Sequence, residues 1–382
     1  MSGVLVVPDL ALEEWAGVNR YAAGLARWLP EAAQPAEART LRGPRYLARY
    51  AWYPLTLWGY RPALVHVLDH SYAHCLASFP GVPSVVTVHD LQPLRVIGPA
   101  GSARAAVRGR LLDWVMGWVR RADRWVTVSA FTAAEAQRHL GLPAERIRVV
   151  PHAVDDTFRT RPADAVVAER RRGWLVSAGG GMGRTAGAGA AEPGGTTKVL
   201  LNVGSCVPRK NVEAAIAMLG RLRRQGVDAH LVQIGGRFGA AHLAAIAADR
   251  LEAFVHQEPS IPEESLVAAY YAADALVLPS TYEGFGVPAL EAMATGLPIV
   301  TSGAGGLAEA VGDAALVVSP EPDGLAGAVA RVLGDPALRR TLVERGRART
   351  AAYTWSAVVA KLRAVYAELL PTTHNPQPAN RL

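Results

Sequence analysis

The feature that most constrains this chain is an alternation running along its length, in which short apolar runs of strand length are each followed by a stretch of helical character. In the first half the runs are Val4–Val7, Leu64–Leu68, Ser84–Val88, Trp125–Val128 and Ile147–Val150. In the second they are Val199–Val203, His230–Ile234, Ala275–Leu278, Pro298–Val300 and Ala315–Val318. Apolar strands joined by helices require a parallel sheet with helical crossovers, so an α/β fold of doubly wound parallel sheets is expected. Between the halves, Trp174–Thr197 is dominated by Ser, Gly and Ala and reads as a linker or insertion. The division expected is therefore a first domain over 1–173, a linker over 174–197 and a second domain over 198–355. A last helix over 356–370 and a Pro- and Asn-rich tail over 371–382 complete it. A length of 382 residues allows two sizeable cores.

Chemistry concentrates at the end of one of these strands. Ala275–Leu278 is closed by Pro279 and Ser280, and Pro288 opens a run of good helix formers, Ala289 to Met293. Gly284, Phe285 and Gly286 thus fall at a strand-to-helix junction, where unpaired N–H groups and the helix dipole favour an anion. Glu283 stands at the rim of that loop. Glu291 follows eight residues later, about two turns away on a helix. The two carboxylates can then hold different parts of one ligand, such as a sugar joined to a diphosphate. The plain alternative is a glycine turn with two solvated glutamates.

A second strand-loop-helix junction lies upstream, where Val199–Gly204 leads into Ser205-Cys206-Val207-Pro208-Arg209-Lys210-Asn211. A departing diphosphate needs cations for its growing charge, and Arg209 and Lys210 are suited to supply them. Only three of the forty basic residues are lysine, so a lysine here is not the default choice. The formal charge of +7 is mostly arginine in a chain rich in Ala and Gly, and no nucleic-acid motif accompanies it; nucleic acid is not expected as a partner. Cys75 and Cys206 fall in different halves and suggest no disulfide framework. With a strand pattern at Met1–Pro8, no secretory signal and no apolar run of spanning length, a cytoplasmic protein is expected.

These motifs resemble the family 4 retaining glycosyltransferases of the GT-B fold. Glu283 and Glu291 match that family's Glu, seven residues, Glu signature, and Pro279-Ser280, Glu283-Gly284-Phe285-Gly286, Pro288 and Glu291-Ala292-Met293-Ala294-Thr295-Gly296-Leu297-Pro298 match its flanks. The resemblance implies two Rossmann-like domains facing a cleft, with Glu283 on donor-sugar hydroxyls and Glu291 on the nucleotide ribose. It further implies Gly284 to Gly286 amides toward sugar and phosphates, and Arg209 and Lys210 on the diphosphate. Gly17, after the first strand, would let the backbone approach the donor phosphate. Many relatives carry arginine where this chain has Ser205, so at this donor-binding position either Arg209 compensates or one phosphate contact is missing. Implied too are retention at the anomeric carbon, a front-face reaction, and neither metal nor cofactor beyond the donor itself. The donor would be GDP-mannose or a UDP-hexose, with the Pro-Arg-Lys-Asn loop leaning toward mannose, and the acceptor a glycan or lipid-linked glycan. An epimerase or phosphorylase of the same fold, or a non-catalytic relative, is the alternative. A glycoside hydrolase using the two glutamates fits the phosphate-binding context less well.

His89 ends the strand Ser84–Val88 at its carboxyl edge, where open parallel sheets bind ligands. The resemblance puts that histidine near the transferred sugar. Ser129 is expected to cap a helix. His152 and Ala153 depart from the Asn-Gly of relatives and are assigned to hinge packing. Two segments, Leu41–Arg61 and Arg104–Arg124, interleave arginines with Tyr and Trp, a pattern that suits peripheral contact with the cytoplasmic face of a membrane as well as ordinary helix packing.

Overall fold

The computed structural model describes residues 3–10, 16–91, 103–176 and 197–370. It forms two compact units: one holds the residues up to His152 and those from Trp355 onward, the other Ala153–Thr354. The expected boundary at 173 therefore moves back by about a helix. Helix Asp164–Val176 belongs to the second unit, where Arg171 bonds Asp274 at 2.8 Å and Arg170 bonds Glu258 at 2.6 Å. Trp174, expected to open the linker, is buried in that helix with its indole N–H on Glu258 at 2.6 Å. Most of the linker (177–196) and the tail (371–382) lie outside the described residues.

Among the described residues the first unit has five parallel strands, β1 (Val4–Val7), β2 (Leu64–Val67), β3 (Ser84–Val88), β4 (Arg124–Thr127) and β5 (Ile147–Val149), ordered as in the chain. Helix Trp355–Ala367 completes its core, burying Val358, Val359, Leu362 and Tyr366. His66 on β2 is wholly buried between the Tyr366 hydroxyl and Thr87 Oγ1, each at 2.7 Å. Burial, with His89 nearby, pushes its pKa down from 6.5 to about 3, so it is neutral in the fold. A histidine depressed on folding stabilises fully above its unfolded pKa and loses that contribution as pH falls below it. Thermal unfolding followed downward from pH 6.5 should therefore decline more steeply for the wild type than for His66→Gln. Parallel profiles would show that His66 does not carry the acid sensitivity.

Among the described residues the second unit has six parallel strands, β6 (Lys198–Val203), β7 (Ala229–Ile234), β8 (Val255–Glu258), β9 (Ala275–Leu278), β10 (Ile299–Thr301) and β11 (Leu316–Val317). Their order is β11-β10-β9-β6-β7-β8. Ten of the eleven strands in the two sheets lie within a residue or two of the apolar runs. The exception is β8, Val-His-Gln-Glu, an edge strand buried only at Val255, whose polar sequence lacks the apolar signal. Sheet order reverses at β6, since β6 pairs with β7 on one side and with β9 on the other. That reversal opens a crevice beyond the carboxyl ends of β6 and β9, where ligands bind in open parallel sheets.

Candidate functional site

The loops after β6 and β9 meet at this crevice. Pro208–Lys210 forms a single 3-10 turn, and Asn211 adopts a left-handed backbone, φ 51° and ψ 45°, which Asn tolerates better than most residues. Its side-chain N–H donates to the Pro279 carbonyl at 3.2 Å, while the Thr281 N–H donates to the Arg209 carbonyl at 2.8 Å. The two loops are thereby laced together, and the asparagine of the Pro-Arg-Lys-Asn segment is explained by backbone and side chain alike.

Glu283 occupies the centre of this arrangement. Its side chain is 9 % exposed; Oε1 accepts from Lys210 Nζ at 2.6 Å and from Ser280 Oγ at 2.7 Å, and Oε2 accepts from Arg209 Nη1 at 3.1 Å. Burial by itself would raise the pKa of this carboxyl, but Lys210 and Arg209 more than offset that and hold it below the ordinary carboxylate range. The trio of ionised groups carries two positive charges against one negative. Lys210 crosses Gly204, where a Cβ would lie 3.3 Å from the lysine Cε. Beside it, the turn Gly235-Gly236 after β7 approaches so closely that a Cβ on Gly236 would lie 2.7 Å from the Cys206 backbone nitrogen.

Gly284, Phe285 and Gly286 are buried within the loop that follows, and the Phe285 ring faces Tyr353 at 5.8 Å. Gly286 caps helix Val287–Thr295 in a left-handed conformation. Glu291, inside that helix, is 1 % exposed, and its Oε2 accepts the Tyr270 hydroxyl at 2.6 Å. Ser205 is exposed directly after Gly204. The structure thus brings Arg209, Lys210 and Glu283 into mutual contact and sets Glu291 with Tyr270. Ser280 was read from the sequence only as part of the motif's flank, with no role given to it, and Tyr270, which holds Glu291, was not singled out, because a Tyr in a helix carries no distinctive signal.

His89 and Gly17 belong to the first unit. Gly17 lies in the first turn of helix Ala16–Trp28. His89 Nε2 lies 2.8 Å from the Leu68 carbonyl, which can only accept, so in the neutral ring Nε2 carries the proton and Nδ1 the lone pair. Burial lowers the His89 pKa despite the opposing pull of Asp69. His152 stacks on His89, with ring centroids 5.2 Å apart and planes at 11°, and Tyr21 stands edge-on to both. His152 is therefore a ring partner of His89 as well as a residue at the unit boundary, which the expectation of hinge packing did not include. Burial holds its pKa well below 6.5. Ser129 accepts from the Thr132 N–H at 3.0 Å and caps helix Ala130–Leu140.

Among the described residues, no group of three or more His, Cys, Asp or Glu is arranged to hold a metal ion. No helix among them is long and apolar enough to cross a membrane.

Comparison with known proteins adds to this geometry. Residues 190–349 match the family model described as glycosyl transferases group 1, and residues 30–158 match the model described as glycosyltransferase family 4. The chain is 34% identical to the glycogen synthase of Mycobacterium tuberculosis strain H37Rv over 330 residues, covering 84% of this chain and 72% of that protein. It is 33% identical over 303 residues to the D-inositol 3-phosphate glycosyltransferase of Acidothermus cellulolyticus, 76% of this chain and 63% of that one. Among solved structures, the sucrose-phosphate synthase of Thermosynechococcus elongatus superposes with a TM-score of 0.73 at 21% identity, over 96% of this chain and 99% of that chain.

Proposed function

The chain belongs to the group 1, family 4 glycosyltransferases, and from that premise we propose that it moves a hexosyl group from a nucleotide-diphosphate sugar to a glycan or lipid-linked acceptor, with retention and without a metal. The observation that carries this reading is the contact of Lys210 and Arg209 with the buried carboxylate of Glu283 at the switch point of the second sheet. The excess positive charge of the trio suits a diphosphate, whose negative charge grows as the sugar departs. Lys210 and Arg209 stabilise that charge in the part a divalent cation plays in other transferases. Glu283, kept ionised by the same cations, accepts hydrogen bonds from sugar hydroxyls. Glu291 holds the ribose with one of its oxygens fixed by Tyr270. In the first unit, His89 keeps an Nδ1 lone pair suited to accept a hydrogen from a sugar hydroxyl. Retention follows from front-face attack, in which the leaving phosphate oxygen takes the acceptor's proton, so that no carboxylate serves as nucleophile.

GDP-mannose, UDP-glucose and UDP-N-acetylglucosamine, each added with a chelator present, provide the test. One donor is expected to raise the unfolding temperature by a few degrees at concentrations about a hundredfold above its Kd, because a ligand bound only by the fold stabilises it by mass action. The shift should vanish in Lys210→Ala and Glu291→Ala. Shifts that persist in both variants, or that require a divalent metal, would refute the assignment of these residues or the metal-independent chemistry respectively.

A further inference from the structure

The first unit carries an exposed apolar and cationic face that the transfer chemistry does not use. It starts in a helical segment made of Arg45–Leu47, a π-helical turn Ala48–Trp52 and Tyr53–Leu57. Tyr53 and Leu57 point into the core, whereas Trp52, Leu55 and Trp58, spaced three apart on the other side, are 39%, 56% and 60% exposed. Tyr46 is 72% exposed and stacks on Tyr50, whose ring in turn meets Trp114 edge-on. Trp114 extends the face onto helix Ala103–Val119, where Val107, Arg110 and Trp114 form an exposed stripe and Arg121 lies over the Trp118 ring at 4.5 Å. Large exposed hydrophobic side chains are ordinary when single; a connected group of this size marks a docking surface.

Charge decides what docks there. Between Glu37 and Asp69 the chain has no acidic residue and five arginines, of which Arg49 is buried and Arg39, Arg42, Arg45 and Arg61 are exposed; between Asp90 and Asp113 it has no acidic residue, and Arg110 is exposed on the stripe. Arg42 and Arg61 bond backbone carbonyls of their own segment and no carboxylate among the described residues. Asp113, beside Trp114, is the one acidic residue among the described residues of that helix. Tyr and Trp settle at the level of lipid headgroups, and arginines beside them are drawn to anionic lipid. We propose that this face docks on a bilayer surface containing anionic phospholipid. The proposal stands apart from the transferase reading, since docking needs neither donor nor acceptor.

Flotation of the full chain with vesicles tests it, using phosphatidylcholine alone and phosphatidylcholine mixed with phosphatidylglycerol. Binding to the mixed vesicles should be at least about tenfold tighter and should weaken as salt is raised. The pair Leu55→Ser with Trp58→Ser, and separately Arg42→Glu with Arg61→Glu, should each reduce it by about tenfold or more without lowering the unfolding temperature, because these side chains are exposed. Leu243→Ser with Val317→Ser, exposed apolar positions of the second unit, should leave it unchanged. Absence of vesicle binding, or binding indifferent to phosphatidylglycerol and to both paired variants, would overturn the proposal and turn the search to a protein partner for the same face.

Discussion

Replacing Lys210 with alanine is expected to lower kcat by about a hundredfold to a thousandfold, the usual effect of removing one preorganised charge from a site where negative charge develops. The residue lies 2.6 Å from Glu283 Oε1, so its loss also takes a cation from a buried carboxylate. Glu283 would keep Arg209 and Ser280, and its pKa should rise, because burial then faces one cation fewer. The variant should consequently show a pH-rate profile whose acidic limb is moved upward. Lys210→Arg should recover only part of the rate, since a planar guanidinium cannot take the place of a compact ammonium crossing Gly204. Steady-state kinetics across pH settle the matter: turnover within about threefold of wild type would remove Lys210 from the chemistry.

The second large effect concerns stability. Gly236 has a φ of +88°, and a Cβ there would approach the Cys206 backbone nitrogen to 2.7 Å, a group that cannot swing aside as a side-chain tip would. Gly236→Ala should destabilise the protein by about 2–4 kcal/mol, combining left-handed strain with displacement of the loop after β6. Gly327→Ala, in the helix Pro322–Gly334 with open space around it, is the control and should be neutral or slightly stabilising. Chemical denaturation of the two variants beside the wild type reads both. Should Gly236→Ala unfold at the wild-type midpoint, the loop contact does not constrain the site.

What could be read from the chain, and what could not, divides along physical lines. The buried strands were legible because a strand covered on both faces is written in Val, Leu and Ile, while β8, covered at one residue, is not. Sheet order was not legible, since nothing in a run of apolar residues says which neighbour it pairs with; the reversal at β6 emerges only from the pairing. The loops were legible as motifs because glycines, prolines and charges are sparse enough there to be noticed. Their lacing was not, because it rests on carbonyls and amides that every residue has, as in the bond from Asn211 to Pro279. His152 shows the same limit from the other side: its departure from the family pattern was evident, yet its stacking on His89 depends on two segments 63 positions apart in the chain.

The return of the chain to its first unit at Trp355 has a bearing on how the molecule is made. The ribosome delivers every residue of the second unit before the helix that finishes the first, so His66 waits for its Tyr366 partner until nearly the whole polypeptide has been synthesised. The second unit is an uninterrupted segment whose two ends meet, the Val154 N–H donating to the Tyr353 carbonyl at 3.0 Å. Birth order and assembly order are thereby inverted: the part translated first is the part completed last, and chains truncated before residue 355 lack the closing helix of their first unit while retaining all of the second.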